Sequence, residues 1–266
     1  MSMSPTATDH HQPACDALER STPVLVEAIR RAPAETRPTR MRWTNAEIAA
    51  HMYASVVESH KLARGVPSAY DGTGPSAALD ERLVAGVEER DVGLLAEMVD
   101  KATTAFLGDL RALRGDELVA MPRADVSTLV ALLAADHHLH GGQFAETAGA
   151  RWTGEVADLH TPLSVLVPYS FDPSGACGFT GSYTLRLAGV PPIRYGVVDG
   201  ELQDEPPERT DCTISTDPQT FLRLGIGVVS QLRALATFKL RAGGRRPWLA
   251  RATKRMFPPI PHGGVR

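Results

Sequence analysis

Trp43-Thr44-Asn45-Ala46-Glu47-Ile48-Ala49-Ala50-His51 and Asp136-His137-His138-Leu139-His140-Gly141-Gly142-Gln143 are the two stretches on which the reading of this 266-residue chain turns. In the first, Thr44 and Glu47 stand at the spacing of a capping box: the threonine hydroxyl accepts from the third backbone N–H of a helix and the glutamate reaches back to the cap. The spacing starts a helix at Thr44, and Ile48, His51, Met52 and Ser55 share one of its faces. His51 therefore points inward, among apolar neighbours. Around the second stretch, Leu129, Leu132, Leu133, Asp136, His140 and Phe144 recur at helical spacing, so a face that should be apolar carries a carboxylate and an imidazole one turn apart. A buried carboxylate without a partner is costly. Chelation of one ion by Asp136 and His140, with His51 from a facing helix as third ligand, removes that cost. Two nitrogens and one oxygen suit Zn2+, and three protein ligands leave a position open for water or substrate. His137, one turn before His140, competes with Asp136 for the same role, whereas His138 points elsewhere. Taken singly, His51 reads as a hydrogen-bonded core residue and the Asp136/His140 pair as a contact along one helix face; taken together they favour a metal.

Outward from these two helices, breaks at Pro33, Pro38, Gly65-Val66-Pro67, Gly72 to Pro75 and Met121-Pro122 divide the first half into four helical segments. They run from about Cys15 or Pro23 to Arg31, from Thr44, from about Leu79 to Leu113, and from about Ser127 to Ala148. Short connections make sequential helices antiparallel neighbours, which predicts a four-helix bundle with its site between facing helices. Beyond Trp152 the texture changes. Leu163 to Phe171, Gly181 to Ala188, Arg194 to Val198 and Asp211 to Ser215 carry strand-type residues between turn residues. Asp217-Pro218 opens a helix through Leu224, and Val229 to Phe238 and Pro247 to Met256 read as further short helices. The fold class expected is thus α+β in two domains: residues 1–14 a disordered N-terminus, 15–150 the helical bundle with the metal site, 151–258 a mixed α/β domain, and 259–266 a tail, with Pro258 to Arg266 read as disordered. Glu88-Glu89-Arg90-Asp91 and Arg241 to Arg246 read as solvated faces.

Composition narrows the function classes. Lys+Arg 28 against Asp+Glu 31 leaves a formal charge of −3, so no strong overall field draws nucleic acid or an anionic membrane. No apolar run has the length of a membrane span, and Met1 to Gln12 lacks a signal-peptide pattern, so a cytoplasmic protein is expected. Cys15, Cys177 and Cys212 are widely spaced and form no C-x-x-C pair, which reads as ordinary reduced thiols. Arginine dominates over lysine, and alanine, glycine and proline are abundant, the bias of a GC-rich, actinobacterial type of source.

At Trp43, Thr44, Glu47 and His51, and again at Asp136, His140 and Gly141, the chain resembles the DinB-like superfamily, in particular its mycothiol-dependent maleylpyruvate isomerase branch. The resemblance covers roughly residues 15 to 149 and implies metal ligands at His51, Asp136 and His140. Asp136 stands where the isomerase branch has glutamate, and Gly142-Gln143 is similar to the histidine-rich DinB form. The second half resembles a sterol carrier protein type domain at Thr184-Leu185-Arg186-Leu187, Val198-Asp199-Gly200, Asp211 to Asp217, and Lys239-Leu240 to Phe257. The branch has an arginine after a glycine in this domain; here the match reads Gly227-Val228. Arg223 and Arg233 are then candidates to substitute, and with Gln143 they are the candidate catalytic residues. The resemblance implies chemistry on a low-molecular-weight thiol, mycothiol, held as thiolate at an open Zn2+ position in the cleft between the two domains. A Zn2+-dependent mycothiol S-transferase acting on an electrophilic small molecule, in detoxification or natural-product biosynthesis, is the first reading. A maleylpyruvate-type cis/trans isomerase is the second, and a non-catalytic binding protein for a lipid or other small molecule the third. The expected partners are the thiol and the electrophile, with the chain a monomer or homodimer.

Overall fold

The computed structural model describes residues 7–113, 115–203, 205, 208–260 and 262–265, side chains from residue 10 onward. It is an α+β structure whose chain divides into two compact units, one running to Glu155 and taking back the tail after Ile260, the other spanning Val156–Ile260. In the first unit the long elements are α1 (Ala7–Arg31), α2 (Asn45–Ala63), α4 (Val92–Leu110) and α5 (Val126–Thr147), with the shorter α3 (Ala77–Gly86) between α2 and α4. α1 packs on α4 and α5, and α2 packs on the same two helices. Ala14, Leu18, Leu25 and Ile29 of α1, Leu95, Val99 and Phe106 of α4, and Leu129, Leu133 and Phe144 of α5 fill the space between them. Each of the buried Leu, Ile, Val and Phe side chains stabilises the fold by roughly 1.5–3 kcal/mol.

Three features of this unit differ from the sequence expectation. The N-terminus expected to be disordered through residue 14 is helical from Ala7, because His11, Ala14, Cys15 and Leu18 form a buried stripe at three- and four-residue spacing; residues 1–6 lie outside the described residues. The single helix expected from Leu79 to Leu113 is two, interrupted at residues 87–91. Asp91 caps α4 by accepting from the Leu94 N–H at 2.9 Å, and the Arg90 guanidinium bonds the carbonyls of Val84 and Val87 at the end of α3. Local side-chain bonds satisfy the ends that a continuous helix would not have. The tail expected to be disordered forms a bridge between Val265 and Met41.

In the second unit a five-stranded mixed sheet has the order β3-β2-β1-β4-β5, with β1 Gly181–Leu187, β2 Ile193–Val198, β3 Glu201–Gln203, β4 Cys212–Thr216 and β5 Leu240–Gly243. β1 pairs antiparallel with β2 and parallel with β4, setting Tyr183 opposite Tyr195 and Leu185 opposite Ile214. Helix α7 (Pro218–Gly225) follows β4, capped by Asp217 with Pro218 in its first turn, and the short α8 (Gln231–Ala236) precedes β5. A short 3-10 turn, Pro247–Arg251, and the single turn α9 (Thr253–Met256) close this unit. Leu163 to Phe171, expected as a strand, lies mostly in helix α6 (His160–Tyr169). The burial of Leu163, Leu166 and Val167 shows the three- and four-residue spacing of a helix, a pattern that a short apolar run hides. Among the described residues no helix is long and apolar enough to cross a membrane.

Candidate metal centre

The start of α2 is fixed as its sequence requires. Thr44 Oγ1 accepts from the Glu47 N–H at 3.3 Å, and Glu47 Oε2 accepts from the Thr44 N–H at 2.7 Å. Asn45 Nδ2 donates to Pro33 O at 2.8 Å and to Thr147 Oγ1 at 2.9 Å, tying this end of α2 to the end of α5. Thr44→Ala is expected to cost about 1 kcal/mol in chemical denaturation, the ordinary loss of a cap.

His51 lies two turns into α2 and is buried, and neither its Nδ1 nor its Nε2 has a hydrogen-bond partner. His140, near the middle of α5, is fully buried; its Nδ1 faces Gln143 Oε1 at 2.8 Å and its Nε2 is without a partner. The third histidine is His262, from the tail. Its ring centroid lies 4.9 Å from that of His51 and 5.3 Å from that of His140, while the first two are 5.3 Å apart. One ligand atom from each ring lies within 4.8 Å of the other two, and among the described residues these three form the group so placed. Trp43 packs beside two of them, 5.2 Å from both His51 and His262.

Burial governs the charge state of these rings. Desolvation pushes His140 down to about 4 and His262 to about 3, and holds His51 well below the ordinary imidazole value, the nearness of the other rings adding to the shift of His51 and His262. All three are neutral at pH 7, so each offers one nitrogen lone pair. A buried imidazole with neither nitrogen bonded, as at His51, costs about 1–3 kcal/mol per lost partner, and such groups call for an ion or water. Three neutral nitrogens converging on one point are a donor set for a divalent transition metal. Gln143 sits one turn along from His140 and accepts its Nδ1–H, which directs the Nε2 lone pair inward. Gln143→Leu is expected to weaken metal binding by roughly 10–100-fold in a competition titration, the usual scale for such a supporting residue.

Neither Asp136 nor His137, the other two expected candidates, is in this group. The buried His137 turns its Nδ1 to Ser21 Oγ on α1 at 3.0 Å, and His138 accepts the Trp152 indole N–H at 3.1 Å. Gly141 allows the latter contact, since a Cβ there would meet the Trp152 ring at 2.2 Å. Asp136 is outside the three-histidine group. It is half-buried as a residue, and its carboxyl is pushed up to about 7, by burial first and then by the charge of Asp80; its own charge is felt by Tyr70. Tyr70 donates to Ser55 Oγ at 3.4 Å, one turn beyond His51. Arg223, half-buried in the last turn of α7, and the exposed Arg233 of α8 belong to the second unit. Sequence reading missed His262, whose segment has no periodicity; its only signal is a histidine set before Gly263-Gly264.

A helical unit carrying a cluster of imidazole nitrogens, followed by a mixed α/β unit, defines the class of scaffold. Within it, the chain has the fold of a solved structure described as the mycothiol-dependent maleylpyruvate isomerase, with a TM-score of 0.55 over 87% of this chain and 92% of that chain at 11% identity. A solved mutant of that isomerase, with one histidine changed to alanine, gives 0.54 over the same shares at 11% identity. No family model matches the sequence, and no curated protein does.

Proposed function

We propose that the chain is a Zn2+-dependent enzyme acting on the thiol of mycothiol, a mycothiol S-transferase for an electrophilic small molecule. The observation that carries this reading is the convergence of buried, neutral histidines with unpartnered nitrogens on a fold shared with a mycothiol-dependent enzyme. A Zn2+ ion held there would supply Lewis acidity, favouring the deprotonated form of an external thiol at neutral pH. His51 and His140 would hold the ion. Asp136, on the same helix as His140, is the carboxyl at hand to take up or return a proton.

Two of the chain's own thiols are unsuited to the nucleophile's role: burial pushes Cys15 up to about 11 and raises Cys212. An external thiol fits. In transfer its S–H bond breaks, the proton leaves, and a sulfur–carbon bond forms as the leaving group departs with its electron pair. Cis/trans isomerisation, in which the thiol adds and is then expelled, is the second reading, favoured by the description of the structural neighbour. Incubation of the metal-loaded protein with mycothiol and an electrophile panel, followed by mass spectrometry, separates the readings. A lasting S-conjugate is the expected product; conversion of maleylpyruvate with the thiol unconsumed would establish the isomerase, and turnover of neither substrate type would remove both.

A further inference from the structure

We infer that His262 is itself a ligand of the metal centre, and that residues 262–265 form a strap that brings it there. The inference rests on the metal-enzyme reading above, since it takes the histidine group to hold an ion. The strap is built into the helical unit. The Arg42 N–H donates to Gly264 O at 2.7 Å, and the Arg42 guanidinium donates to the carbonyls of Gly263 and Val265 while also pairing with Glu81. Asp80 Oδ2 accepts the Gly263 N–H at 3.2 Å.

Two glycines let the strap come this close. A Cβ on Gly263 would lie 2.8 Å from the Trp43 ring and 2.9 Å from Ala77 O, and one on Gly264 would lie 2.5 Å from the same indole. Trp43 is therefore clasped between the strap and His51, and its position fixes the place of both histidines. This is more anchoring than a solvated tail requires, and it ends on one side chain. His262 has a buried Nε2 without a partner, as do His51 and His140.

The Nδ1 of His262 accepts the Gly264 N–H at 3.2 Å. A neutral ring bonded in this way keeps its proton on Nε2. Coordination through Nε2 shifts that proton to Nδ1 and gives up the bond to Gly264, so no net proton is released by this ring. The His262-Gly263-Gly264 segment is thus part of the centre, and Asp136 need not be a ligand.

The test uses the full chain. Wild-type protein is first titrated with Zn2+, and failure to bind about one equivalent would remove the enzyme reading itself, whatever His262 does. With binding established, His262→Ala is expected to weaken it by roughly 100-fold or more, beyond the 10–100-fold typical of a residue that only supports a ligand. His262→Cys, loaded with Co2+, is expected to show a thiolate-to-cobalt charge-transfer band that the wild type and His262→Ala lack, because only a directly bonded sulfur gives one. Wild-type affinity in His262→Ala, or no such band in a folded, Co2+-loaded His262→Cys, would overturn the assignment. Should the alanine variant fail to fold, the band decides.

Discussion

His51→Leu is expected to abolish Zn2+ binding and thiol-dependent activity while making the metal-free protein more stable. The ring is buried with both nitrogens unpartnered. A leucine of similar volume removes two desolvated polar atoms without opening a large cavity, which stabilises the metal-free fold by about 1–3 kcal/mol. The same change deletes a ligand on which neighbouring groups cannot improvise, because His51 is delivered by a capped helix tied down at Asn45. Zinc occupancy is expected to fall below about a tenth of an equivalent at concentrations that saturate the wild type, a loss of order 100-fold or more. Chemical denaturation of both metal-free proteins, alongside metal analysis, checks the two halves. A metal-free His51→Leu protein clearly less stable than the wild type would show that the ring is a structural core residue and sink the metal assignment. Opposite signs for stability and function are the signature of a site retained at a cost.

Much of this was legible in the sequence where one local rule decides the outcome. The Thr44/Glu47 box places the start of α2, and its helical spacing puts His51 inside, as found. The mixed α+β character of the chain, and strands near Gly181 to Ala188 and Asp211 to Ser215, followed from β-branched and aromatic runs between turn residues. The metal partners were harder to read. α5 is buried on almost every side, with Ala135, His137, His138, Leu139 and His140 all inside, so periodicity could not say which side chain faces α2. His137 proved to face Ser21 and His138 to face Trp152. His262 was out of reach for a different reason: its placement depends on contacts with Arg42, Trp43 and Asp80, more than 180 residues away in the sequence. No local pattern encodes such contacts.

Acid is expected to destabilise the metal-free protein well before ordinary carboxylate titration would. Burial holds His140 near about 4, His137 and His262 near about 3, and His51 well below the ordinary imidazole range. In the unfolded chain the same rings titrate near about 6.5. Between about pH 6.5 and pH 4 the unfolded state therefore binds more protons than the folded state, and stability falls as pH falls. At about 1.4 kcal/mol per unit, a ring displaced by two or three units contributes on the order of 3 kcal/mol across this window. Two carboxyls act with the opposite sign. Asp136 and Asp80, pushed up chiefly by burial to about 7 and about 6, bind protons in the folded state that the unfolded chain does not hold until about pH 4. Their contribution is present at low pH and lost as pH rises through 6 to 7. Four rings outweigh two carboxyls, so thermal unfolding of the metal-free protein is expected to move down by several degrees or more from pH 7 to pH 5. His51→Leu should flatten that slope, having removed one of the displaced rings. Bound Zn2+ should raise the unfolding temperature across this window without changing the slope, because the ion stabilises only the folded state and the rings it would occupy are already neutral there. Equal unfolding temperatures at pH 5 and pH 7 in the metal-free wild type would mean that the rings are not held neutral by burial, and the donor set would lose its physical basis.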